Sequence, residues 1–132
     1  MDKNLKRDDQ DTIRKMADEF TKFYYSSLNE KSYNKILQHI KSYSIYNSQN
    51  IIYKGECIVN YFKNLSDMNT VFSNIDFSCL HSGARRINIL VTGVINYNSN
   101  NENITQKFTE YIHCGNDNYN NFWIQTSIFK LL

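Results

Sequence analysis

The chain has 132 residues, of which 41% are apolar and 14% aromatic, enough for one domain with its own core. At this length folding removes roughly 68% of the unfolded surface from water. Four glycines and no proline exclude linker and collagen-like chains. A net charge of +2, spread over weak clusters such as Lys3/Lys6/Arg7 and Arg85-Arg86, does not indicate a nucleic-acid partner. The polar start MDKNLKRDDQD lacks an apolar signal region, and no run approaches 18 apolar residues, so membrane insertion is not expected. Cys57, Cys79 and Cys114 are odd in number and form no C-x-x-C, as expected of reduced thiols in a cytosolic or nuclear protein.

Residues 1–8 are expected to form a flexible tail and residues 9–132 a single domain. Asp9 and Asp11 can start a helix and complement its dipole. Ile13, Met16, Ala17, Phe20, Phe23, Tyr24 and Leu28 then recur at helical spacing, with Tyr25 at the margin of the stripe. Ser32 is positioned to cap a short helix through Tyr33, Ile36, Leu37 and Ile40. Residues 43–53 read as extended chain with a turn at 47–50, and Gly55 opens a third helix through Cys57, Ile58, Tyr61, Phe62 and Leu65. From residue 70 the period becomes two. Strands are expected over 70–80, 86–97, 104–114 and 122–132, joined by a turn at Ser82-Gly83, a polar loop at 98–103 and an Asn-rich turn at 115–121. Helices followed by long strands define an α+β fold, with helices on one face of a curved antiparallel sheet.

Alternation sorts the strands into faces. Ile87, Ile89, Val91, Gly93, Ile95 and Tyr97 share one parity, and Asn88, Leu90, Thr92, Val94 and Asn96 the other. Strict alternation over 122–132 groups Trp123 with Phe129, and Ile124 with Ile128. Both faces are rich in large hydrophobes, whereas a wet face shows clean polar alternation. Three helices cover one face, so the second implies a protein partner. Gly93 suggests a bend or a close approach in mid-strand.

The order long helix, short helix, strand, helix, four long strands resembles the nuclear transport factor 2 family. ADEFTKFYYSSLNEK (17–31) is similar to its first helix, KGECIVNYFKNL (54–65) to its third, SNIDFSCL (73–80) to its strand with an internal Asp, ILVTGVI (89–95) to its strand with an internal Gly, and WIQTSIFKLL (123–132) to its closing strand. Each motif is weak, but five in order span residues 11–132. The resemblance implies a cone of three helices packed on a strongly curved sheet. FYYSSLNEK and the short C-terminus are most similar to the family's export branch, the small subunit that pairs with a large mRNA export receptor in the nucleus and cytoplasm and at the pore.

That branch implies a heterodimer, with phenylalanine-glycine nucleoporins as further partners. The other branch is a homodimeric carrier of Ran-GDP. It uses acidic residues where this chain has Asn98–Asn103 with Glu102 as the single carboxylate, and a Glu where this chain has Asn47. The resemblance places Leu90, Tyr111, Ile124, Ile128 and Lys130 at a sheet-to-sheet partner interface. A lysine at 130 lacks the bidentate fork of the arginine common in that branch. It also implies a concave side lined by Phe20, Phe23, Tyr24, Tyr46, Tyr61, Phe108, Trp123 and Phe129, with so many rings that plugging is favoured over a ligand cavity.

Enzymatic relatives use an Asp–His pair, for which Asp76, His39, His81 and His113 supply the residue types. No spacing joins a histidine to Asp76, so a non-enzymatic protein is expected. Adjacent strand residues point apart, so His113 and Cys114 are a poor metal pair. No cofactor is expected.

Overall fold

The computed structural model describes residues 7–81, 86–117 and 121–132. Helix α1 (Arg7–Asn29) is the long amphipathic helix. It includes Arg7 and Asp8, placed in the tail by the sequence, and Asp9 and Asp11 lie within it. Its buried stripe runs through Ile13, Ala17, Phe20, Tyr24, Tyr25 and Leu28, at the three- and four-residue steps that stack on one helix face. The C-terminal end is fastened to the sheet. Asn29 Nδ2 donates to the Phe72 carbonyl (2.9 Å), and the Phe72 amide donates to Asn29 Oδ1 (2.8 Å).

Helix α2 (Tyr33–Leu37) is short. Ser32 occupies its N-cap, but its hydroxyl makes no capping bond. Strands β1 (Ile40–Ser48) and β2 (Ile51–Lys54) follow, so Ile40 belongs to a strand. They are joined by Gln49 and Asn50, both at positive φ. Gly55, at φ +58°, opens helix α3 (Glu56–Ser66), and a Cβ there would meet the Ser42 carbonyl at 3.1 Å. Then come β3 (Val71–His81), β4 (Arg86–Ser99), β5 (Glu102–Asp117) and β6 (Asn121–Leu131).

The six strands form one sheet in the order β2-β1-β6-β5-β4-β3. It is mixed, since β1 runs parallel to β6 while the other neighbours are antiparallel. The wholly antiparallel sheet expected from the sequence is corrected here. β2 and α3 separate β1 from the later strands, and the chain lays its first strand beside its last. The loop expected at 98–103 shrinks to Asn100-Asn101, at φ +51° and +65°. Positive φ at both central residues is the signature of a two-residue hairpin turn, so Ser99 pairs directly with Glu102. The turn expected at Ser82-Gly83, and residues 118–120 of the expected 115–121 turn, lie outside the described residues.

Besides a register shift between Ile40 and Ile45 in β1, two irregularities in the antiparallel pairs reset the alternation of the strands. In β3 the register shifts between Ser73 and Asp76, with Asn74 at φ +52°. In β6 His113 pairs with Thr126, but Cys114 pairs with Ile124. Gln125 is the extra residue. Beyond it the faces exchange.

Gly93 marks a close approach. A Cβ there would lie 2.8 Å from both Phe108 Cε1 and Ile75 Cδ1. Gly93→Ala must displace a fully buried ring, and overpacking of this kind costs about 1–3 kcal/mol. The expected result is a lower urea midpoint with an unchanged m-value.

Candidate functional site

The concave side contains a polar group that the sequence reading missed. Glu110 lies on β5 between Phe108 and Ile112, on the apolar parity, and is 1% exposed. Its carboxylate accepts from Tyr25 OH at 2.6 Å and Tyr24 OH at 2.9 Å. Ser127 Oγ, on the neighbouring strand, donates at 2.6 Å. Burial raises its pKa above the usual carboxylate range, and the three hydroxyl donors oppose that rise. The same burial, reinforced by the Glu110 charge, pushes the Tyr24 and Tyr25 phenols well up. Its sequence signal was a carboxylate set between Phe108 and Ile112 on the inward parity of β5.

This cage explains the consecutive rings of α1. Tyr24 and Tyr25 both turn inward to hold Glu110. Tyr25, placed at the helix margin by the sequence, is 3% exposed. Phe23 is the marginal ring. It is half-buried and packs on His39, with centroids 5.0 Å apart. Phe20 stacks on Tyr24, and Phe108 stacks on Phe129. The rings thus fill most of the concave side, leaving a hollow of about 180 Å³ at its mouth. That is below the 300–1,000 Å³ of usual small-molecule sites. Of the expected lining residues Tyr46, Tyr61 and Phe129 reach it, together with Phe72, Ile95 and Leu131. The Tyr61 hydroxyl is hydrogen-bonded to Ser48 Oγ at 2.7 Å. Phe20, Phe23, Tyr24 and Phe108 do not line the hollow.

Trp123 is not on the concave side. The β6 bulge places it on the face opposite Ile124, where it covers Gly115. A Cβ on Gly115 would be 2.6 Å from the indole. Lys41 Nζ sits 5.4 Å from the ring centroid. The same bulge corrects Ile124. Expected at a partner interface, it is 1% exposed and in the core, and its carbonyl accepts from the Ser44 hydroxyl.

The outer face carries the other expected interface residues. Cross-strand register puts Ser78, Leu90, Tyr111, Ile128 and Asn47 in one row across β3, β4, β5, β6 and β1. Ile52 of β2 extends it. Leu90 is 39% exposed and Ile128 37%, and Tyr111 between them is half-buried. The next row is Asp76, Thr92, Thr109 and Lys130, with an exposed acid at one end and an exposed base at the other.

The candidates for proton transfer are dispersed. Asp76 is exposed, and its Oδ1 accepts from the Phe77 amide. His39 Nδ1 donates to the Phe122 carbonyl at 2.7 Å. His113 lies on the outer parity, with its pKa lowered by burial and then by Arg86. The side chain of His81 is outside the described residues. The register does not bring Asp76 beside His39 or His113.

A domain of three helices on a curved six-stranded sheet, with an aromatic-filled concave side and an apolar outer row, defines an NTF2-like α+β protein. Residues 16–131 match the nuclear transport factor 2 (NTF2) domain, and the chain belongs to that family. No protein of curated function matches the sequence at a significant level. Among solved structures, nuclear transport factor 2 from Cryptosporidium parvum is similar at 19% identity and a TM-score of 0.75, covering 98% of each chain. A scytalone dehydratase-like protein from Novosphingobium aromaticivorans superposes with a TM-score of 0.82 at 7% identity, covering 96% of this chain and 89% of its own. A polyketide cyclase-like protein from Xanthomonas campestris has a TM-score of 0.68 at 12% identity, covering 89% and 90%. At these identities the structural likeness establishes the fold alone.

Proposed function

We propose that this chain is a non-enzymatic transport subunit of the nucleus and cytoplasm that pairs its outer sheet face with a large mRNA export receptor and supports mRNA export through nuclear pores. The observation that carries this reading is the Leu90–Tyr111–Ile128 row, which leaves large hydrophobes exposed in the middle of a sheet. Exposed apolar surface of this kind marks interaction sites. The similarity of FYYSSLNEK to the export branch supplies the choice of partner, and phenylalanine-glycine nucleoporins are further partners on the same ground.

Two observations weigh against each alternative. For a Ran-GDP carrier, the Asn98–Asn103 hairpin offers Glu102 as its one carboxylate, and Asn47 Oδ1 is already occupied by the Asn50 amide at 2.9 Å. For an enzyme, the buried acid of the concave side is sealed by three hydroxyls, and the mouth hollow is small.

Affinity purification from the source cell tests the proposal. A large export receptor is expected to co-elute with the wild-type chain and to be lost with Ile128→Glu. Recovery of Ran-GDP in its place, with or without the substitution, would favour the carrier reading.

A further inference from the structure

Lys31, Lys35 and Lys63 line one open hollow of about 410 Å³, together with Ser32, Tyr33 and Asn34. The three cations come from separate elements. Lys31 follows α1 at φ +61°, Lys35 lies on α2, and Lys63 lies in the last turn of α3, which packs on α2. Among the described residues no carboxylate lines the hollow. Among the described residues the three ammonium groups have no ion-pair or hydrogen-bond partner, whereas Lys22 pairs with Asp18 at 3.1 Å. The Ser32 hydroxyl is also unused by the helix it precedes.

Three like charges around one concavity repel each other, and a bound anion reverses that repulsion into attraction. Lysine ammonium groups serve as point-charge ligands for phosphate. The serine and tyrosine hydroxyls and the asparagine amide add neutral donors. The hollow falls within the size range of small-molecule sites, so it has room for an organic group behind the phosphate.

We propose that this hollow binds the phosphate group of a phosphorylated ligand, either a free phosphate compound or a phosphorylated side chain of a partner protein. It lies among the helices, away from the outer sheet face, and does not depend on the transport reading.

The test is calorimetry at low ionic strength with pyrophosphate, a phosphoserine peptide and the same peptide unphosphorylated. Saturable binding of at least one phosphate probe is expected, with no binding of the unphosphorylated peptide. The tighter of the two probes identifies the source of the phosphate. Lys35→Gln/Lys63→Gln is expected to weaken binding at least tenfold, and added salt to weaken it further. Lys107→Gln, an exposed control on β5, should leave affinity within twofold. Substitutions at such exposed lysines preserve folding, which thermal melts of both variants verify. Absence of saturable binding, equal loss in the control, or equal binding of the unphosphorylated peptide would overturn the proposal.

Discussion

Glu110→Ala is expected to destabilise the fold by roughly 3 kcal/mol or more. It strands the buried hydroxyls of Tyr24, Tyr25 and Ser127, and each unsatisfied buried group costs about 1–3 kcal/mol; the truncation also leaves a cavity. Glu110→Gln separates the charge from the shape. The glutamine carbonyl still accepts, and the size is kept. Burial raises the folded-state pKa of Glu110, so the native chain holds that proton more tightly than the unfolded chain does. Its contribution is then fully present below the unfolded-state pKa of about 4.3 and is lost as pH rises through the folded-state value. Glu110→Gln has no such loss, so its stability relative to wild type should improve as pH rises above about 4 and level off once the raised folded-state pKa is passed. Urea titrations of the three proteins across that range measure both effects. A constant difference between wild type and Glu110→Gln would show that the carboxyl does not titrate anomalously.

The second large effect is expected at the outer face. Leu90→Glu/Ile128→Glu puts two carboxylates into the centre of the row formed with Tyr111. Central interface residues of this kind cost about 2 kcal/mol or more each when lost, and a buried unpaired charge adds to that. Binding to the proposed receptor partner should weaken by at least about 100-fold, the loss that 2.7 kcal/mol represents. Both positions are more than one-third exposed in the isolated chain, so its melting temperature should change little. Sedimentation velocity of the mixed proteins reads the binding, and thermal melts read the fold. A variant that binds normally while folded would remove the outer row from the interface.

The fold was legible because its signals are periodic and long. The α1 stripe, the Gly55 helix start and the alternation of 86–97 each rest on many residues agreeing with one period. The errors came where a single residue resets the period. Gln125 in β6 moved Trp123 out and Ile124 in, although both obey perfect alternation on paper. The Asn100-Asn101 turn was hidden because asparagine suits both a loose loop and a tight positive-φ turn. The parallel pairing of β1 with β6 depends on contacts across more than 70 residues, which no local pattern records. In the concave site Tyr46, Tyr61 and Phe129 could be read as lining because their elements were placed correctly. The Tyr24–Tyr25–Glu110–Ser127 cage could not, since it joins three elements through side chains whose partners only the folded register selects.

The transport proposal requires a second polypeptide over the outer sheet face. Hydroxyl-radical footprinting of the cell-derived complex, set against the isolated chain, tests it most directly. Leu90, Tyr111 and Ile128 are expected to be oxidised in the isolated chain and protected in the complex, while exposed Leu37 on α2 reacts equally in both. Equal oxidation of the row in both samples, with protection confined to the mouth of the concave side, would contradict it.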